Sequence, residues 1–137
     1  MTNRLLAPLC AMVLLTFLVW VWMYATRLTK IAKSGKDPQI LADEAKATAL
    51  LKDVVNPSDN FENLFEMPVL FYAAILTLVA SGQGDLTFVA AAWAFVALRG
   101  VHSLIHCTYN RIVHRFAAYA LSSLVLWAMW ARIGSCA

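Results

Sequence analysis

Residues 61–80 read FENLFEMPVLFYAAILTLVA; Glu62, Asn63 and Glu66 stand at the head of a run that then carries no charge to Gly84. A helix crosses a bilayer with roughly 20 predominantly apolar residues, so this stretch predicts a transmembrane span entered through a polar mouth. Three other stretches have the same character. Residues 5–26 carry no charge between Arg4 and Arg27. Residues 86–105 are interrupted by Arg99 and His102, and residues 116–133 are charge-free until Arg132. The sequence therefore predicts an all-α integral membrane protein, an antiparallel four-helix bundle with helices over about 5–26, 61–80, 86–108 and 116–133. All 137 residues form a single domain, with no repeat or linker to divide it.

Composition agrees. The chain is 61% hydrophobic and 14% charged, with a mean hydropathy of +0.67, against about 45–50% apolar and about 25% charged in ordinary soluble domains. Cys10, Cys107 and Cys136 are odd in number and lack paired ligand spacing, which points to neither a disulfide framework nor a zinc site. The first apolar stretch is too long for a signal-peptide core. Trp20, Trp22 and Tyr24 stand where a cleavage site would need small residues, so it is expected to remain as a helix.

Charge placement sets the expected topology. Arg27, Lys30, Lys33, Lys36, Lys46 and Lys52 follow the first span, and Arg111 and Arg115 lie at the third connection; Arg4 and Arg132 are alone on the opposite side. Eight cations against two put the first and third connections in the cytoplasm and both termini outside. These cations are explained by insertion rather than by nucleic-acid binding. Short loops and the lack of a sorting signal point to a bacterial inner membrane. Within the first connection, Asp37-Pro38 predicts a capped helix to about Lys52, with Ile40, Leu41, Leu50 and Leu51 available to the membrane surface or else folded into an ordinary cytoplasmic hairpin. Asn56-Pro57-Ser58 reads as a chain break, and Asp59 with Glu62 as a capping box for the second span. Ser81-Gly82-Gln83-Gly84 ends that span, Asp85 caps the third, and so short a turn predicts antiparallel neighbours.

Ionisable groups inside spans are expensive and mark candidate sites. This topology brings Glu62, Asn63 and Glu66, then Arg99, His102 and His106, then Arg115 to one leaflet. Arg99, His102, Ser103, His106 and Asn110 form one stripe if the third helix continues that far, and Arg115, Tyr119 and Ser122 form another. Glu66, Ala73, Thr77 and Ala80 form a third, small enough for close helix contact. Three polar stripes at one depth are expected to face each other. Each group also has a plain structural reading: a buried Glu66–Arg99 bridge, interhelical hydrogen bonds for the histidines, and a snorkelling Arg115. The number of cationic groups exceeds what one ion pair requires, and such a pocket suits an anionic hydrophilic ligand beside a lipid-soluble one.

Asn63-x-x-Glu66 followed by Pro68, then Arg99-x-x-His102-Ser103 and a downstream Arg115, resembles the MAPEG family, membrane-associated proteins of eicosanoid and glutathione metabolism. The similarity runs from about Asp59 to Ile133. It implies a homotrimer that binds glutathione between neighbouring protomers near the cytoplasmic side. By the same resemblance, Asn63, Glu66, Arg99, His102 and His106 are cofactor-binding residues, and Arg115 stands near the thiol. Two positions depart from the pattern: Asp59 replaces an Arg expected four residues before Asn63, and Pro68 stands two residues after Glu66 rather than three.

Three functions follow as expectations. The first is a glutathione-dependent transferase or peroxidase acting on a lipophilic small molecule, with Arg115 and Tyr119 catalytic: Arg115 stabilises the thiolate, and Tyr119 or His106 donates a hydrogen bond. The second is a non-catalytic membrane protein that binds lipid or a partner protein, the direction in which Asp59 pushes. The third is a metal site in which His102 and His106, four apart on one helical face, are joined by Glu66.

Overall fold

In a computed structural model describing residues 2–136, with side chains from 3 to 135, the chain forms six α-helices in order: α1 (Thr2–Ser34), α2 (Glu44–Leu51), α3 (Asn56–Asn63), α4 (Met67–Ser81), α5 (Leu86–Cys107) and α6 (Ile112–Cys136). Four helical stretches are long and apolar enough to cross a membrane; α3 and α4 together make the second. α1 packs on α3, α4 and α5, while α6 packs on α5 and α4, closing a four-membered bundle. Phe71 of α4 and Phe95 of α5 stack across its interior with ring centroids 4.5 Å apart. Met12, Leu78 and Leu126 are fully buried around them. Cys10 and Cys107 are free thiols; the Cys136 side chain lies outside the described residues.

Several element boundaries differ from the sequence reading, among them α6, which runs Ile112–Cys136 rather than over 116–133. α1 continues past residue 26 to Ser34 because Arg, Leu and Lys are good helix formers; it stops at Gly35, whose φ of 64° suits glycine. The expected helix after Asp37-Pro38 is two pieces. Asp37 caps only a 3₁₀ turn, Pro38–Ala42, and Asp43 then caps α2 by accepting from the Lys46 amide at 3.2 Å. Of the four apolar residues offered to the membrane surface there, Leu51 is instead buried.

The second span departs most. Asn56-Pro57-Ser58 opens α3 rather than breaking the chain, since proline is tolerated in a first helical turn. No Asp59–Glu62 capping box forms; both residues lie inside α3. The break falls instead at residues 64–66. Pro68 has no amide for the Leu64 carbonyl, and its ring would crowd that carbonyl in a continuous helix.

At the far end of the bundle, α4 stops at Gly82 (φ 71°) and Asp85 caps α5 by accepting from the Phe88 amide at 2.9 Å. The Asp85 carboxylate also receives both Nη groups of Arg132 from α6, one at 3.1 Å. The same guanidinium lies 4.4 Å over the Phe88 ring. These contacts hold the α5 start and α6 end together.

Candidate functional site

α3 carries Asn56, Asn60 and Asn63 at offsets 0, 4 and 7, one face of a helix. Each bonds to the next segment in antiparallel register. Asn56 Oδ1 accepts from Asn110 Nδ2 at 2.9 Å, Asn60 Oδ1 accepts from Ser103 Oγ at 3.3 Å, and the Asn63 carbonyl accepts from Arg99 Nη2 at 2.9 Å. Asn60, fully buried, also reaches the Cys107 sulfur at 3.5 Å. The predicted antiparallel pairing of the second and third spans is thus built on this asparagine ladder. Asn56 and Asn60 were not singled out by sequence, although their spacing with Asn63 was the available signal.

The helix break supplies the third rung. In an unbroken helix the Asn63 carbonyl would accept from the amide of Met67. Here it receives the Glu66 amide at 3.4 Å and the Arg99 side chain. Arg99 has no exposed surface, its Nε and Nη1 have no partner, and its Cζ lies 5.7 Å from the Tyr119 ring centroid.

Arg115, on the first turns of α6, organises the opposite wall. Its carbonyl lies 3.1 Å from His102 Nδ1, and its Nη1 donates to His106 Nε2 at 2.9 Å and to Asn110 Oδ1 at 2.8 Å. These bonds assign the neutral rings: His102 carries its proton on Nδ1, and His106 carries its proton on Nδ1 with Nε2 as acceptor. His102 Nε2 and His106 Nδ1 are left buried without partners. Asn110 is not on the α5 stripe. The helix ends at Cys107, and Asn110 turns back with φ 45°, its amide bonding the Ile105 carbonyl at 2.8 Å. Asparagine is among the few side chains that enter this conformation readily.

A cavity of about 220 Å³ opens between these walls, lined by Asn63, Glu66, His102, Arg115 and Tyr119, with Ile112 and Phe116 at its apolar edge. Five of the seven predicted site residues therefore share one cavity. Arg99 and His106 are buried and absent from its lining. The α5 and α6 stripes face inward, with Ser122 buried. The third stripe does so only at Glu66, because α4 turns Phe71, Ala74, Ile75 and Leu78 to the core and leaves Ala73, Thr77 and Ala80 exposed. Glu66 is an electrostatic neighbour of Arg99 but is not within ion-pair distance of it. The buried Glu66–Arg99 bridge is not formed.

A metal on His102 and His106 does not fit either. His106 gives its acceptor nitrogen to Arg115, the rings stand at 88° with centroids 5.6 Å apart, and no group of three His, Cys, Asp or Glu is placed to hold an ion among the described residues.

Buried polar groups in proteins are nearly always hydrogen-bonded, so several unpartnered nitrogens in one cluster call for an explanation. Three are donors (Arg99 Nε and Nη1, His106 Nδ1), and beside them the Arg115 side chain bonds only through Nη1 among the described residues. Of these residues only Arg115 lines the cavity; the Arg99 and His106 donors lie behind its wall. Asp59 works against an anionic ligand there, as an exposed acidic residue whose charge acts on His106.

Comparison with known families gives a match to the MAPEG family over residues 5–135. No curated protein and no solved structure matches the chain.

Proposed function

The chain belongs to the MAPEG family, and on that premise we propose that it is a glutathione-dependent membrane transferase or peroxidase acting on lipophilic electrophiles. Membership makes it a multi-pass membrane protein related to glutathione or eicosanoid metabolism. One observation carries the finer reading: the unpartnered nitrogens of Arg99, His102 and His106 lie behind a cavity walled by Arg115.

Bound glutathione supplies a thiol, which with a pKa of about 8.5 is a weak nucleophile at neutral pH. Arg115, held through Nη1 by His106 and Asn110, presents Nε and Nη2 to stabilise the thiolate. Glu66 is the carboxylate for the ligand's ammonium group, and Asn63 offers its side-chain oxygen to the peptide. Arg99, buried behind the cavity wall, sets a positive potential for a carboxylate. Tyr119 lines the same cavity, and its hydroxyl, without a hydrogen bond among the described residues, is the donor to the reacting group. Ile112 and Phe116 give the lipophilic acceptor an apolar edge to approach along.

We further infer a homotrimer with the polar end of the bundle in the cytoplasm. The exposed Ala73, Thr77 and Ala80 face suits close approach of another helix, and the cations gather at the polar end.

Radiolabelled glutathione binding to purified protein tests the reading. Saturable binding that disappears in Arg115→Ala supports it. Absence of binding to the unaltered protein overturns it in favour of a non-catalytic protein that binds lipid or a partner, the reading Asp59 favours.

A further inference from the structure

A groove of about 860 Å³ runs along α1 near the end of its apolar stretch, away from the polar cavity. Leu18, Val21, Trp22 and Ala25 form its apolar length, and Thr29, Lys30 and Lys33 form its end. The two parts follow one helical stripe, because α1 continues unbroken from the span into its basic extension. The groove changes from hydrocarbon to cation where a lipid changes from acyl chain to headgroup.

We propose that this groove is a binding site for an anionic glycerophospholipid, with an acyl chain along Trp22 and the phosphate at Lys30 and Lys33. Charge complementarity selects this occupant. Lys30 and Lys33 are the charged residues that line the groove, and Lys33 has no carboxylate partner among the described residues. Clusters of basic residues just beyond a span attract acidic lipid, at a strength equivalent to about fivefold in affinity per cation. Lys30 is not idle: its Nζ lies 2.8 Å from Asp53, whose side chain is 74% exposed. Asp53 is therefore a competitor for the phosphate, and the site responds to both signs of charge change.

The test is native mass spectrometry of the full chain in detergent, titrated with phosphatidylglycerol or with phosphatidylcholine of the same acyl chains. The proposal expects a preference for phosphatidylglycerol that falls about fivefold in Lys33→Gln and rises in Asp53→Asn. A lysine acting only in packing has no reason to respond in opposite directions to these two changes. Phosphatidylglycerol with brominated chains is expected to quench wild-type tryptophan fluorescence more than that of Trp22→Phe. Equal retention of the two lipids overturns the proposal, as does a preference that neither charge variant alters. Efficient disulfide crosslinking between copies through Ala25→Cys also overturns it, since a second chain then fills the groove.

Discussion

Arg99 Nη2 lies 2.9 Å from the carbonyl oxygen of Asn63, an acceptor made available by the break in the second span ahead of Pro68. A proline on one helix thus decides what a buried guanidinium on another can hold. The bond satisfies one nitrogen of Arg99 and leaves two without partners.

That imbalance makes Arg99→Met informative. A charge buried without a counter-ion is costly, and replacing it by an apolar side chain of similar length removes that cost. The variant is expected to melt no lower than wild type in detergent while losing at least about tenfold in glutathione affinity, about 1.4 kcal/mol. A melting temperature well below wild type with binding intact would make Arg99 a packing residue.

Asn110 combines a left-handed backbone with a side-chain bond to Arg115. Asn110→Gly keeps the backbone conformation and loses the clamp, whereas Asn110→Ala loses both. Alanine is expected to be less stable than glycine by about 1 kcal/mol, read from thermal melts. Both variants are expected to raise the pH at which bound thiol ionises, followed by thiolate absorbance.

Asp59 stands where the family pattern has an arginine. Asp59→Arg replaces a repulsive charge with an attractive one, and glutathione affinity is expected to rise on the order of tenfold, about 1.4 kcal/mol. Isothermal titration with both proteins measures it. Unchanged affinity would place Asp59 outside the ligand's reach.

The Arg132 guanidinium, with the Phe88 amide, holds the Asp85 carboxyl below the usual carboxylate range. Its folded value is therefore lower than its unfolded value, and between the two the unfolded chain binds the extra proton. The stability from this contact is complete above about pH 4 and is lost as pH falls through the lowered folded value. Thermal melts between pH 7 and pH 3 are expected to show a shallower acid decline in Asp85→Asn, from a lower starting stability.

Four apolar runs were enough to establish the membrane class and the number of spans, because a bilayer's thickness imposes a length that can be counted along a chain. Local chemistry also made Asp85 legible as a cap, and helical period put Arg99, His102 and His106 on one face. What the chain could not disclose alone was which partner each polar group would find. The inward turn of Phe71 rather than Ala73, the separation of Glu66 from Arg99 and the return of Asn110 towards Arg115 all depend on several helices packing at once. Periodicity assigns a residue to a face of its own helix; only the neighbouring helices decide whether that face meets a hydrogen-bond partner, a cavity or lipid.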